Sequence, residues 1–442
     1  MHLFDLFSVN GTTPLHVVCE FGHLTCIRML IEGGADVNAR DEDGDAPLNV
    51  AAIRGNVDII RLLASYKQCD VNVQGSCLDR TPLHNACDAG DHVACIHELM
   101  SHGADVEARD DHSGSTPLML AAAHDHTECT KALIDDYNAS INATDKHGTS
   151  ALCRAAFNGC VRMVRTLTSY AHCDVNLAEA ESGRTALHYA SKEGNVECIH
   201  ELMKAGADLE AKDSVFHATP LFYAVKMTPP GDQTSGDLMK CIEVFINSYG
   251  ASVNATAENG NTALHYAVIN RHLEVAKMLT SFSECDVNAA NLSGYTALHA
   301  ACSAKDKPCC QLLLSCGANT DACDNDDNVT PLHVAASENA VEVVKLLVEE
   351  GNASVNAVER NVGSALHLAV ERDFVELVDV LAAYEQCDVN CRGSSKGSTP
   401  LHLACMYGSV PCASVLIRHG ASVSVKDDAE ITPLQISGRA LQ

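Results

Sequence analysis

Short apolar clusters alternate with polar punctuation along the whole chain, always in the same order. The stretch from Thr185 is representative. A threonine precedes "ALHYASKEG", a short helical segment that a glycine at position 194 brings to a turn. "NVECIHELMKA" (195–205) then places apolar residues at helical spacing and predicts a second, amphipathic helix. It runs into "GAD" at Gly206, as at Gly34 and Gly103, where glycine suits a left-handed helix end. An acidic, turn-rich segment of the "DVNARDEDG" type (36–44) leads to the next threonine. The predicted unit is helix, turn, helix, finger.

The unit recurs throughout the chain. Its cap position falls at Thr13, Ala46, Thr81, Thr116, Ser150, Thr185, Thr219, Thr262, Thr296, Thr330, Ser364, Thr399 and Thr432. Successive caps are 33 to 35 residues apart, except for 43 after Thr219. Thr or Ser caps a helix by accepting an orphan N–H of the first turn, and proline follows where its missing donor costs nothing. Eight of the twelve prolines hold that slot; Pro308 and Pro411 fall at starts of second helices, and Pro229 and Pro230 lie in the one long insertion, so none interrupts a helix. A slower period overlays this one. "SYKQCDVN" (65–72), "SYAHCDVN" (169–176), "SFSECDVN" (281–288) and "AYEQCDVN" (383–390) recur every third unit, as copying of three-unit blocks would produce.

A 33-residue period opening on "TPLHNAC" (81–87) and its copies resembles the ankyrin repeat over nearly the whole chain. The resemblance implies an all-α solenoid of about twelve helix pairs with β-hairpin fingers. The array would be continuous over residues 1–442, with a partial repeat from position 432. It also implies that the histidine of each cap ties it to neighbouring backbone, and that first helices line a concave face beside the fingertips.

Within "TPLHNAC", His84 and Cys87 share a helical face, which raises a Cys–His nucleophile or half of a metal site. The copies argue otherwise. Histidine recurs at His16, His188, His265, His299, His333, His367 and His402, while the cysteine slot accepts Cys, Ala, Ser or Val. That slot selects small size, so the pair reads as scaffold. "HELMSH" (97–102) spaces its histidines five apart, not the four of a zinc helix. "DACDNDDN" (321–328) lacks the turning glycine of a calcium loop, since Val329 stands in its place, and Ala335 replaces the closing glutamate. Cys26, Cys129, Cys198 and Cys241 share one second-helix slot, where packing explains them better than metal. No catalytic residue, cofactor or metal is expected.

Composition narrows the partners. The formal net charge is −28, which opposes nucleic acid and anionic membranes alike. No run approaches the eighteen apolar residues of a membrane span, and the opening "MHLFDLFSVN" lacks signal-peptide features. Trp is absent and aromatics are 4%, which suits thin helices packed through Ala, Leu, Val, Ile and Cys. Twenty-two cysteines in a chain of this size read as reduced thiols in a cytoplasmic or nuclear protein.

These observations point to a non-enzymatic scaffold or adaptor for one or more proteins, with no small-molecule substrate. The alternative is the substrate-recognition part of an enzyme complex, a ubiquitin-ligase adaptor or a fragment of a larger ankyrin-bearing enzyme. A metal- or redox-sensing enzyme using the thiols is a third reading. The residue before each cap varies from Arg80 to Arg184 to Tyr295, either because it reads a partner or because a solvated edge drifts. Arg80, Arg184, Phe216, His217 and Tyr295 are the candidate contacts, the aromatics as anchors. The insertion "MTPPGDQTSG" (227–236) reads as disorder or a regulatory tether, with Thr228 a Ser/Thr-Pro phosphorylation candidate. Family resemblance adds Asn38, Asn72, Asn176 and Asn288, within "DVN", as candidate asparagine hydroxylation sites. The ends are short for a capped stack, as in a piece of a longer protein, which leaves a further catalytic or membrane domain open.

Overall fold

The computed structural model describes residues 11–75, 78–226, 236–393 and 396–439. Among these, twelve pairs of short helices run from Pro14–Phe21 to Val410–Arg418, followed by a further first helix, Pro433–Arg439. The chain falls into two compact units: residues 1–224 with 236–251, and 225–235 with 252–442. The division passes through the helix pair that carries the insertion. Within each unit first helices stack on first helices and second on second. The expected prolines stand at the first or second helical positions, Pro308 and Pro411 included.

Packing follows the small-residue slots. Cys19, Ala52, Cys87, Ala122, Ala156 and Ser191 are fully buried in the first unit, as are Cys302, Ala336 and Val370 in the second. Close approach of neighbouring helices demands that small volume. Cys129, Cys198 and Cys241 are fully buried too, whereas Cys26 at the same position of the first pair is exposed. In the later copies that position faces the preceding repeat, with Cys129 Sγ 3.5 Å from the Gly90 carbonyl.

Three kinds of bond join neighbouring repeats within the units. The first is the cap histidine. The Thr81 N–H donates to His84 Nδ1 at 3.2 Å, and His84 Nε2 lies 2.9 Å from the Ser115 carbonyl. A carbonyl only accepts, so Nε2 carries the proton and the ring is neutral. The same bond recurs from His16 to Asp45, His188 to Ala218, His265 to Tyr295, His299 to Val329, His333 to Gly363, His367 to Ser398 and His402 to Ile431. Asn49 reproduces both ends, taking the Ala46 N–H at 3.1 Å and donating to the Arg80 carbonyl at 3.1 Å.

The second is the finger-base asparagine. Asn72 Nδ2 donates to the Gly103 carbonyl at 3.1 Å, and its Oδ1 accepts the Asp105 N–H at 2.8 Å. Asn38, Asn142 and Asn176 do likewise in the first unit, and Asn254, Asn288, Asn356 and Asn390 in the second. The third joins finger to finger, as where Lys146 N–H meets the Ser113 carbonyl at 2.9 Å. Gly148 sits in such a contact at φ +88°, where a Cβ would lie 2.2 Å from the Ala180 nitrogen.

The fold class stands, but the fingers are not paired strands. Among the described residues they are turns with four isolated antiparallel bridges, such as Thr144 with Ser150. One carboxylate or amide closes many of these turns: Asp145 Oδ1 accepts the N–H groups of His147 and Thr149, both at 2.9 Å. A side-chain acceptor thus takes donors that a strand ladder would use.

Replacing His84 by Ala leaves the buried Thr81 N–H unpaired, takes from the Ser115 carbonyl one of its two donors (the Asp110 N–H remains at 3.0 Å) and opens a cavity, an expected loss of about 2–4 kcal/mol. His84→Asn, which copies Asn49, should retain most of that stability. Urea unfolding of both variants checks this, and equal losses would mean that the bonds contribute little. Asn72→Ala, at an exposed site, should cost about 1–2 kcal/mol by the same measurement.

Stability should also fall in mild acid. Burial holds the rings of His84, His188, His265, His299, His333 and His367 below their ordinary value, His367 at about 4, despite carbonyl bonds acting the other way. An unfolded ring takes up its proton near pH ~6.5 and a folded one only lower, so the unfolded state binds more protons in between. Asp45, raised to about 6 by burial and then by Asp41 and Asp43, works in the opposite sense, one carboxyl against six rings. The urea midpoint should hold level between about pH 7 and 8 and decline from about pH 6.5 downward. His367→Asn should flatten that decline.

Candidate functional site

Two adjacent hollows open in the second unit where fingers meet first helices. One, of about 470 Å³, is lined by residues including His265, Ile269, Arg271, Tyr295 and Ser303. The other, of about 390 Å³, is lined by Tyr295, Ser303, Val334, Glu338, Glu371 and Arg372 among others. Tyr295 and Ser303 belong to both, so Tyr295 stands on the wall between them.

Tyr295 is placed by its backbone. Its N–H donates to Asn291 Oδ1 at 3.0 Å, and its carbonyl accepts from His265 Nε2 at 3.0 Å. The half-buried ring lies 4.8 Å from the His299 ring at 44°. Burial pushes its phenol above the ordinary value, and the carboxylates of Asp324 and Asp327 on the next finger add to this. Ile269, 47% exposed, supplies an apolar surface across the hollow. Arg271 and Arg372 turn onto backbone carbonyls, Arg372 Nη1 reaching that of Ser337 at 3.0 Å. Glu359 is buried and accepts backbone N–H groups of its own turn, including Gly363 at 3.0 Å.

The first unit holds the other contact candidates. A hollow of about 320 Å³ is lined by Arg154, Phe157, Asn158 and Tyr189, among others. Phe157 and Tyr189 meet edge to face at 6.1 Å, and Lys192 Nζ lies 5.3 Å from the Phe157 centroid. Arg80 is ion-paired with Asp88 at 2.8 Å. Arg184 is drawn inward: its Nε donates to the Tyr223 hydroxyl at 2.9 Å, and its guanidinium lies 5.0 Å from that ring's centroid. Tyr223 in turn donates to Asp213 at 2.5 Å. Phe216 is half-buried with its N–H on Asp213 Oδ1 at 3.0 Å, and His217 is exposed in a left-handed conformation at φ +48°. Phe216 and His217 thus belong to one unit and Tyr295 to the other, which makes them separate candidates.

Asn38, Asn72, Asn176 and Asn288 are the finger-base asparagines, with both polar ends of each amide engaged in the described bonds. Thr228 lies outside the described residues. Burial raises Cys87 well above the ordinary thiol value, with Cys129 and Asp88 adding, and Cys129 itself stands at about 12 from burial and Asp91. Such thiols carry no thiolate to act as nucleophile near neutral pH. Among the described residues no group of three or more His, Cys, Asp or Glu could hold a metal, and no helix is long and apolar enough to cross a membrane.

Sequence reasoning passed over Ile269, Phe157 and Glu371. All three hold one slot, four residues after the cap histidine position. Across the copies that slot reads Glu20, Ile53, Asp88, Ala123, Phe157, Lys192, Lys226, Ile269, Ser303, Ser337, Glu371 and Met406. Its variety beside invariably small neighbours was the available signal.

The family model for ankyrin repeats (3 copies) matches residues 2–75, 68–145, 138–213, 214–291, 279–359 and 352–427. B-cell lymphoma 3 protein of Homo sapiens is 33% identical over 229 residues, covering 49% of this chain and 48% of that protein. The Drosophila melanogaster transient receptor potential cation channel subfamily A member 1 is 28% identical over 215 residues, 46% of this chain and 18% of the channel. E3 ubiquitin-protein ligase KEG of Arabidopsis thaliana is 27% identical over 329 residues, 63% of this chain and 19% of the ligase. The chain spans less than half the length of each. The matched repeats, together with cap histidines that bond each repeat to the next, make this chain a member of the ankyrin-repeat family, and its repeats a protein-binding module.

Proposed function

We propose that the chain is a non-enzymatic protein–protein interaction scaffold that binds partner proteins across its first helices and fingertips, with the Tyr295 hollows as a principal contact. The observation that carries this reading is the pair of adjoining hollows that share Tyr295 and Ser303. A half-exposed aromatic on a rigid support is a strong interface anchor, because its surface is large and little conformational freedom is lost on binding. Tyr295 has its backbone fixed at both ends, so the ring is presented already oriented. Phe216 and His217 at a finger of the first unit form a second, independent contact. The many reduced thiols support residence in the cytoplasm or nucleus.

A second reading draws on the similarity to an E3 ubiquitin-protein ligase. The repeats would then select substrates for an enzyme. The family model covers residues 2–427 as repeats, so catalysis would come from another segment or subunit.

Affinity capture with the full chain tests both. The double variant Tyr295→Ala, Ile269→Asp should lose a defined partner by tenfold or more, on the order expected for an anchor worth about 2 kcal/mol. Phe216→Ala, His217→Ala should affect a different partner or none. Circular dichroism and urea unfolding show whether each variant is folded. Undiminished recovery of every partner by the folded Tyr295 variant would overturn the assignment of this surface, and a ubiquitin-ligase core among the lost partners would favour the second reading.

A further inference from the structure

The hollow of about 390 Å³ beside Tyr295 carries an unbalanced charge, with Glu338, Glu359 and Glu371 in its lining against Arg372, whereas the charged side chain lining the other hollow is Arg271. Asp324 and Asp327 act on the Tyr295 phenol from the next finger, and Glu338 and Glu371 line the second hollow. The arginines nearby keep their charge but each direct an N–H group to a backbone carbonyl rather than to these carboxylates. Arg271 donates to the Ala304 carbonyl and Arg372 to the Ser337 carbonyl. Arg360, at the tip of the following finger, donates to the Asp326 carbonyl. Glu338 pairs with Lys305 at 3.5 Å, but among the described residues no ion pair involves Asp324, Asp327 or Glu371. The Glu371 carboxylate accepts only a neutral partner, the Tyr407 hydroxyl at 3.3 Å. Asp324 closes its own turn by accepting the Asp327 and Val329 N–H groups, which leaves Asp327 and Glu371 as the carboxylates without an ion-pair partner. An aromatic ring beside such carboxylates attracts cations twice over, through its quadrupole and through their charge. The chain's net charge of −28 adds a long-range field of the same sign.

From this geometry we infer that the occupant of the Tyr295 surface is an extended, arginine- or lysine-rich segment of a partner protein, with one cationic side chain lying against Tyr295 on the Glu371 side, its basic neighbours meeting Asp327 and Glu371, and its uncharged residues crossing to Ile269. The inference rests on the protein-binding reading above and names the chemistry of the partner. Hollows of this size on both sides of the ring accept side chains from a peptide passing across it. An acidic or phosphorylated segment would bring its charge against Asp324, Asp327 and Glu371 and be repelled.

A fluorescein-labelled peptide of arginine, glycine and serine, beside a counterpart with glutamate at each arginine position, tests this by fluorescence anisotropy with the full chain. The arginine peptide should bind and the glutamate peptide should not. Tyr295→Leu should weaken binding about fivefold or more, while Tyr295→Phe, which keeps the ring, should retain it. Asp327→Asn with Glu371→Gln should weaken it further. Glu32→Gln with Glu197→Gln, which removes the same charge from the first unit, should leave binding nearly unchanged. Equal binding by the Tyr295→Leu and Tyr295→Phe proteins, or equal losses in the two charge variants, would reduce the effect to general attraction and overturn the inference. A benzoylphenylalanine photocrosslinker placed at Ile269 separates the two claims. Crosslinks to basic partner segments support the inference; crosslinks to neutral or acidic ones overturn it and leave the protein-binding reading intact; no crosslink at all overturns both.

Discussion

A neutral imidazole held between two repeats is the interaction on which this architecture depends. Each cap histidine accepts from its own cap N–H and donates to a carbonyl about one repeat further on, so a single side chain caps the start of one first helix and fixes the entry to the next. The bond works in only one protonation state, because the carbonyl can only accept and the cap N–H can only donate. At His84 burial supplies that state by disfavouring the charged ring. Neighbouring repeats must be present for burial to occur, so the interaction that links the repeats also requires them to be linked. Asn49 shows that the two bonds matter more than the ring: an amide with a donor and an acceptor suitably placed makes both.

Around that bond, other polar groups do related work at the finger base and tip. The asparagines bridge to backbone groups on the following repeat, and finger carboxylates accept the N–H groups of their own turns. Burial raises Asp110, but the Ser113 and Ser115 N–H groups and the Ser113 hydroxyl outweigh it, leaving the carboxyl below its ordinary value. A chain rich in Asp can therefore use many of its acids as turn closures, while the remainder give the surface its negative field. The buried thiols, such as Cys87, take no part in this charge balance; held protonated, they act as small apolar fillers.

Function is accommodated in what these bonds leave free. Tyr295 illustrates the separation: its backbone N–H and carbonyl belong to the links between repeats, while its ring lines two hollows. The slot four residues past the cap histidine has the same freedom and ranges from Ile269 to Glu371 without disturbing the stack. Arg184 marks the limit of that freedom. Its position before a cap matches that of Tyr295, yet Tyr223 and Asp213 draw it inward.

The repeat length, helix caps, small packing slots and scaffold role of the histidines were all legible from the residues, because each is local or repeated often enough to average out its neighbours. Twelve copies of one pattern separate "TPLHNAC" from a reactive pair without coordinates. Tertiary structure alone decided the rest. The "DVN" asparagines carry no sign in their own segment of the backbone groups about thirty residues away that they join. The fingers read as hairpins until side-chain acceptors were seen to take the donors a ladder needs. Whether a residue before a cap faces outward, as the Tyr295 ring partly does, or turns in like Arg184 depends on which side chain the next repeat sets beside it. Sequence periodicity fixes which positions meet; the chemistry of the two residues that meet fixes where each side chain goes.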